Sequence, residues 1–128
     1  MAFVLDTSVA IGLRDGDMKV REKILALDDA ILLSIVSRVE LEGGVYRDPA
    51  EAGVRRQRLD AMLQALPVLA FDDAAADAYR TIVETAGYLR RKLLDRMIGA
   101  QALAHRATLI TRNPDDFRDI PGLHILAW

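Results

Sequence analysis

Short apolar runs bounded by turn residues alternate along this chain with longer stretches whose apolar residues recur at helical spacing, and that alternation leaves few folds open. The runs are Ala2 to Leu5, Ile31 to Leu33, Val68 to Phe71, Leu109 to Thr111 and His124 to Ala127. They are too short for helices and apolar enough to be buried on both faces. Strands of this kind, separated by helices, pair in parallel through right-handed crossovers, which puts helices on both faces of the sheet. The expectation is one α/β domain over residues 1–128, with a parallel sheet of about five strands.

The segments between these runs carry helix signals. Asp6, Thr7 and Ser8 can cap a short helix reaching about Leu13, and Asp15-Gly16-Asp17 breaks it. Val20, Ile24, Leu25 and Leu27 give the next helix its apolar stripe. Ser37 and Glu40 have the Ser-x-x-Glu spacing of a capping box, which predicts a helix head there and a helix running towards Tyr46. Pro49 is expected to open a helix with Val54, Leu59, Met62, Leu63 and Leu66 on one side, ended by Pro67. Asp72 is a candidate N-cap for Ala74 to Ala86, closed by Gly87, and a further helix is expected over about Asp95 to His105.

With 128 residues and 52% apolar content, the chain can bury a core of its own. The absence of Cys excludes a disulfide framework, a thiolate nucleophile and a Cys-based zinc site. Met1 to Asp6 reads as an apolar strand ending in an acid, with no basic leader and too short an apolar run for a signal peptide or membrane span; a cytoplasmic protein without a membrane partner is expected. A net charge of -2 argues mildly against a general nucleic-acid coat. Yet 14 of the 17 basic residues are Arg, the type suited to bidentate phosphate contacts.

Four acids fall where these elements begin or end: Asp6, Glu40, Asp95 and Asp116. Each also has an ordinary structural reading. Asp6 can be an N-cap, Glu40 the acid of the capping box, Asp95 an N-cap or the partner of Arg91 or Arg96, and Asp116 part of an Asn-Pro-Asp turn. Asp95 is the hardest to dismiss, because it stands among Leu93, Leu94, Met97 and Ile98, where an unpaired acid would be costly if buried. Gly99, Ala100, Ala102 and Ala104 give its helix a thin face for close approach to the sheet. In open parallel sheets, ligands sit outside the carboxyl ends of the strands, and Asp6 and Asp116 both follow strands there. Carboxylates gathered at that edge would repel one another unless a cation lay between them, and an all-oxygen set suits Mg²⁺ or Mn²⁺ better than zinc. His105 and His124 are read as ordinary surface or edge residues.

Four segments, taken in order, resemble the PIN-domain ribonucleases, and among them the VapC-type toxins of toxin-antitoxin pairs. They are Val4-Leu5-Asp6-Thr7-Ser8, Ser37-Arg38-Val39-Glu40-Leu41, Leu94-Asp95-Arg96-Met97-Ile98-Gly99-Ala100 and Thr111-Arg112-Asn113-Pro114-Asp115-Asp116-Phe117. They span nearly the whole chain. The resemblance implies a Mg²⁺- or Mn²⁺-dependent endoribonuclease acting on RNA, with Asp6, Glu40, Asp95 and Asp116 as its acidic quartet. By the same matching, Thr7, Ser8, Thr111 and Asn113 become supporting polar groups. It also implies a homodimer silenced by a cognate VapB-type antitoxin whose tail enters the active-site groove. Arg90-Arg91-Lys92 departs from the pattern, since such toxins often have a Gly- or Pro-containing turn there.

Arg90, Arg91, Lys92, Arg96 and Arg112 are the candidates for phosphate contacts, each with a solvated helix face as its plainer reading. Other readings remain open at this point. They are a PIN-like protein without a toxin role, in RNA processing or as a catalytically silent scaffold, a haloacid-dehalogenase-like phosphatase, and a receiver-type phosphoacceptor domain. The phosphatase would want a second Asp where Ser8 stands, and the receiver a Lys in Thr111-Arg112-Asn113.

Overall fold

A computed structural model describes all 128 residues. Five strands, β1 (Phe3–Leu5), β2 (Ile31–Ser34), β3 (Val68–Leu69), β4 (Thr108–Thr111) and β5 (Ile125–Ala127), form one sheet in the order β3-β2-β1-β4-β5. Every pairing is parallel. The central strand β1 sets Leu5 opposite Leu33 on one side and opposite Ile110 on the other. Six helices connect and cover the sheet: α1 (Thr7–Arg14), α2 (Met18–Leu25), α3 (Ile35–Arg47), α4 (Ala52–Ala65), α5 (Asp73–Ala86) and α6 (Leu93–Ala104).

Because successive strand side chains point to opposite faces, β1 feeds two cores. Val4 packs with Leu109, Ile82 of α5 and Ile98, Ala100 and Ala102 of α6. Leu5 packs on the other face with Leu33, Ile110, Val9 and Ala10 of α1, Leu41 and Val45 of α3 and Leu59 and Met62 of α4. Burying a side chain such as Val4 or Leu5 completely contributes about 1.5–3 kcal/mol, so a polar residue at either position would undo one layer. Of the thin face of α6, Ala100 and Ala102 pack with Val4 and Leu109 of the sheet, whereas Ala104 is exposed and Gly99 meets the segment before β5, where a Cβ would stand 2.6 Å from Ile120 Cδ1.

Several expected boundaries shift for physical reasons. Ser34, not Ser37, caps α3: its hydroxyl accepts the Val36 N–H at 3.0 Å, so the helix begins three residues earlier and Ser37 lies buried inside it. Pro49 does not open α4. Asp48 accepts the Ala50 N–H at 3.1 Å and makes a turn, and the helix starts at Ala52. Val54 is exposed, leaving Leu59 and Met62 as the buried side of that helix. Strand β3 stops at Leu69, where Gln101 Nε2 donates to the carbonyls of Leu69 and Ala70 in place of a strand partner. A 3₁₀ turn over Arg90–Lys92 leads into α6, which places Asp95 inside the first turn rather than at the cap. Asp72 does cap α5, and Gly87 with φ 78 does close it.

Candidate active site

Asp6 leaves β1 at its carboxyl end and caps α1. Its Oδ1 accepts the Thr7 N–H at 2.8 Å, while Oδ2 accepts the hydroxyls of Thr111 at 2.7 Å and Ser8 at 3.0 Å. The Asp6 N–H donates to the Ile110 carbonyl at 2.9 Å, which fixes the backbone as well. Thr111 ends β4 next door, so the side-by-side pairing of β1 and β4 is what delivers its hydroxyl.

Glu40 lies in α3, exposed, and its Oε1 accepts the Thr7 hydroxyl at 2.8 Å. Asp116 is exposed in the 3₁₀ turn Pro114–Phe117, which buried Phe117 pins to the core. Asp95 projects from the first turn of α6 and is half-buried. Its carboxyl is pushed up to about 6, first by burial and then by the charges of Asp6, Asp116 and Glu40, with Lys92 pulling the other way. Four acids spread over 110 residues of chain therefore meet in one electrostatic neighbourhood.

The four do not form a ready-made cage, for no three acids close tightly enough to chelate one ion by themselves. That spacing still fits Mg²⁺ or Mn²⁺. Mg²⁺ is commonly held by one or two carboxylates and several waters, and the free carboxylate oxygens here offer that kind of set. The absence of His from the site argues against zinc.

The basic residues divide sharply. Arg96, expected at a phosphate, is 1% exposed; it donates to the Gly87 carbonyl and to Asp119 Oδ2 at 2.7 Å. Burial alone would raise the Asp119 carboxyl, but Arg96 and Lys92 hold it below its usual value. Lys92 reaches Asp119 at 3.5 Å and the Asp116 carbonyl at 3.4 Å, so it braces the turn that carries Asp116. Arg112 pairs with Asp17 at 2.9 Å. Arg90 and Arg91 remain exposed and without a carboxylate partner.

Among the supporting polar groups, Thr7, Ser8 and Thr111 act through their hydroxyls. Asn113 contributes through its backbone instead, its N–H donating to Thr111 Oγ1 at 3.0 Å and its carbonyl accepting from Asp116. His105 and His124 are exposed, away from the acids. Sequence reasoning missed Ser37 as part of the site, although three residues before Glu40 on a helix is the same face. Asp119 carried no signal of its own.

The PIN-domain family profile matches residues 3–123. The chain belongs to the PIN-domain family. Among relatives of this PIN domain, Ribonuclease VapC2 of Rickettsia felis is 28% identical over 134 residues, covering 100% of this chain and 98% of its own length. The structure is similar to VapBC2 of Rickettsia felis bound to a DNA fragment from its promoter, with TM-score 0.82, 27% identity and coverage of 100% and 99%. It is also similar to DNA-bound VapBC of Salmonella typhimurium, with TM-score 0.85, 22% identity and coverage of 100% and 98%. No helix of the PIN domain is long and apolar enough to cross a membrane.

Proposed function

We propose that this PIN domain is a Mg²⁺- or Mn²⁺-dependent endoribonuclease, the toxin of a toxin-antitoxin pair, hydrolysing RNA phosphodiester bonds at the edge formed by Asp6, Glu40, Asp95 and Asp116. The observation that carries the reading is the convergence of four acids from the end of β1, α3, the first turn of α6 and the Pro114–Phe117 turn, where burial and then their mutual repulsion raise the Asp95 carboxyl. A fold that tolerates such repulsion gains from a cation that relieves it. Full-length similarity to a ribonuclease, and to complexes of toxin with antitoxin, supports the nuclease activity and an antitoxin partner.

A bound Mg²⁺ or Mn²⁺ would supply a Lewis acid that lowers the pKa of a water and offsets charge on the phosphodiester oxygens. The residues of the chain do the rest. Asp6, with its oxygens already held by three donors, is the fixed anchor. Asp95 and Asp116, whose carboxylates accept no hydrogen bond from the protein, would be the further ligands. Glu40 has Oε1 held by Thr7 and Oε2 free to orient or deprotonate the attacking water. Arg90 and Arg91 stand beside Lys92 where an RNA backbone could run.

The test is cleavage of RNA by the purified chain with Mg²⁺ or Mn²⁺, and its loss with EDTA, Asp6→Asn or Asp95→Asn while the fold by circular dichroism is unchanged. Full activity in both variants, or in EDTA, would overturn the reading. Phosphate release from small esters is the control that separates a nuclease from a phosphatase.

A further inference from the structure

Ser37 is a fully buried hydroxyl in the first turn of α3, and it makes no bond to the carbonyl one turn back. It lies 2.8 Å from Thr7 Oγ1 instead. Thr7 has a single O–H to give, and it is donated to Glu40 Oε1 at 2.8 Å. The contact between the hydroxyls is then Ser37 donating to Thr7. Ser37 favours the Thr7 rotamer that faces Glu40. Thr7 meanwhile donates its N–H to Asp6 Oδ1, so one residue links two of the four acids.

We propose that Ser37 is a positioning residue for Glu40, acting through the Thr7 hydroxyl. Glu40 is otherwise an exposed, flexible side chain, free to drift into solvent. The Ser37–Thr7 chain commits Oε1 to the fold and leaves Oε2 without a protein partner. The inference rests on the acidic edge being a cation-binding nuclease centre, but it predicts effects on cation binding that are measured apart from cleavage.

The experiment compares full-length wild type, Ser37→Ala and Ser37→Thr by calorimetric titration with Mn²⁺, by kcat and KM on RNA, and by melting temperature. Losing a group that orients a metal ligand typically weakens affinity or activity about tenfold or more. Ser37→Ala is expected to weaken Mn²⁺ binding and lower kcat by about tenfold, with KM within about twofold of wild type. Ser37→Thr, which keeps the hydroxyl, is expected to restore both. Unchanged Mn²⁺ affinity and kcat in a folded Ser37→Ala variant would overturn the proposal, as would a Ser37→Thr variant as impaired as Ser37→Ala. Should Ser37→Ala fail to fold, Thr7→Ser, which keeps the donor but frees its rotamer, is expected to show the same two losses in weaker form; unchanged values there would overturn the proposal. Weakened Mn²⁺ binding in a chain whose wild type cuts no RNA would support the positioning role and reject the nuclease reading.

Discussion

Asp6 and Asp116 follow neighbouring strands, β1 and β4, at the same edge of the sheet, yet the fold treats their carboxylates in opposite ways. Asp6 is 5% exposed and accepts three hydrogen bonds, from Thr7, Ser8 and Thr111. Asp116 is exposed and its carboxylate accepts none, and the same is true of half-buried Asp95 across from it. One side of the site is therefore finished by the fold and the other is left open. The open side is braced from behind rather than at the carboxylates, by Arg96 and Lys92 on Asp119 and by Lys92 on the Asp116 carbonyl. A centre built this way keeps one ligand rigid while the others remain available to a cation and to substrate.

If bracing from behind is what holds the open side, removing it should cost more than removing any bond to Asp6. Arg96→Met leaves the Gly87 carbonyl and Asp119 without their buried donor. Breaking a buried pair by deleting one partner typically costs 3–5 kcal/mol; with Asp119 itself partly exposed, a loss of about 2–4 kcal/mol in urea unfolding is expected. Activity should fall beyond the loss of folded protein, because the Asp116 turn loosens. The Arg96–Asp119 contribution is present above the usual Asp pKa of 3.8 and fades as the pH falls through the lowered folded-state value, so the variant and wild type should converge in acid. A variant as stable as wild type at pH 7 would mean that the pair contributes nothing net.

On the finished side, Thr111→Val keeps the shape and removes one donor from a buried carboxylate. A hydrogen bond to a charged group contributes about 1.5–3 kcal/mol, and Ser8 and Thr7 still hold Asp6, so the loss should lie near the lower end. Thermal melts of the metal-free protein give the number. Loss of all fold would show that Asp6 tolerates no missing donor.

The open side makes the opposite prediction. Asp95 titrates near 6 in the fold against 3.8 when unperturbed, so the metal-free native state binds its proton more tightly than the unfolded chain does. The contribution of Asp95 to stability should therefore be greatest below about pH 4, decline as the pH rises to about 6, and stay reduced above it. Asp95→Asn removes the charge and should stabilise the metal-free protein at pH 7. The full shift corresponds to about 3 kcal/mol, and with the group half in solvent about 1–2 kcal/mol is expected. The gain should vanish at pH 4, and Mg²⁺ should stabilise wild type more than the variant. Destabilisation by Asp95→Asn at pH 7 would show that burial and the neighbouring acids do not disfavour the Asp95 charge in the fold.

The same contrast explains what could be read from the chain. Val4, Leu5, Leu109 and Ile110 announce β1 and β4 because strands covered on both faces must be continuously apolar, and the acids just past them follow from that. Asp6 as a cap and Gly87 as a stop are local chemistry, so both were legible. The head of α3 was not, because Ser34 and Ser37 stand three residues apart and either fits a cap until the end of β2 is known. Arg96 was misjudged because its burial depends on Asp119, 23 residues away, and no spacing encodes such a pair.

The smallest effect is expected from Arg90 and Arg91, which belong to neither side of the centre and lack protein partners. If the RNA backbone runs over the 3₁₀ turn into α6, these guanidiniums contact phosphates on the open side, where Asp95 and Asp116 wait. Arg90→Gln with Arg91→Gln should then raise KM modestly, leave kcat alone, and reduce the slope of log affinity against log salt by roughly one to one and a half for two lost contacts to a single strand. Arg112→Gln is the comparison, since its guanidinium is already spent on Asp17 and should change the slope less. Equal slopes in wild type and the double variant would place the RNA on the Asp6 side and leave the α5–α6 turn out of its path.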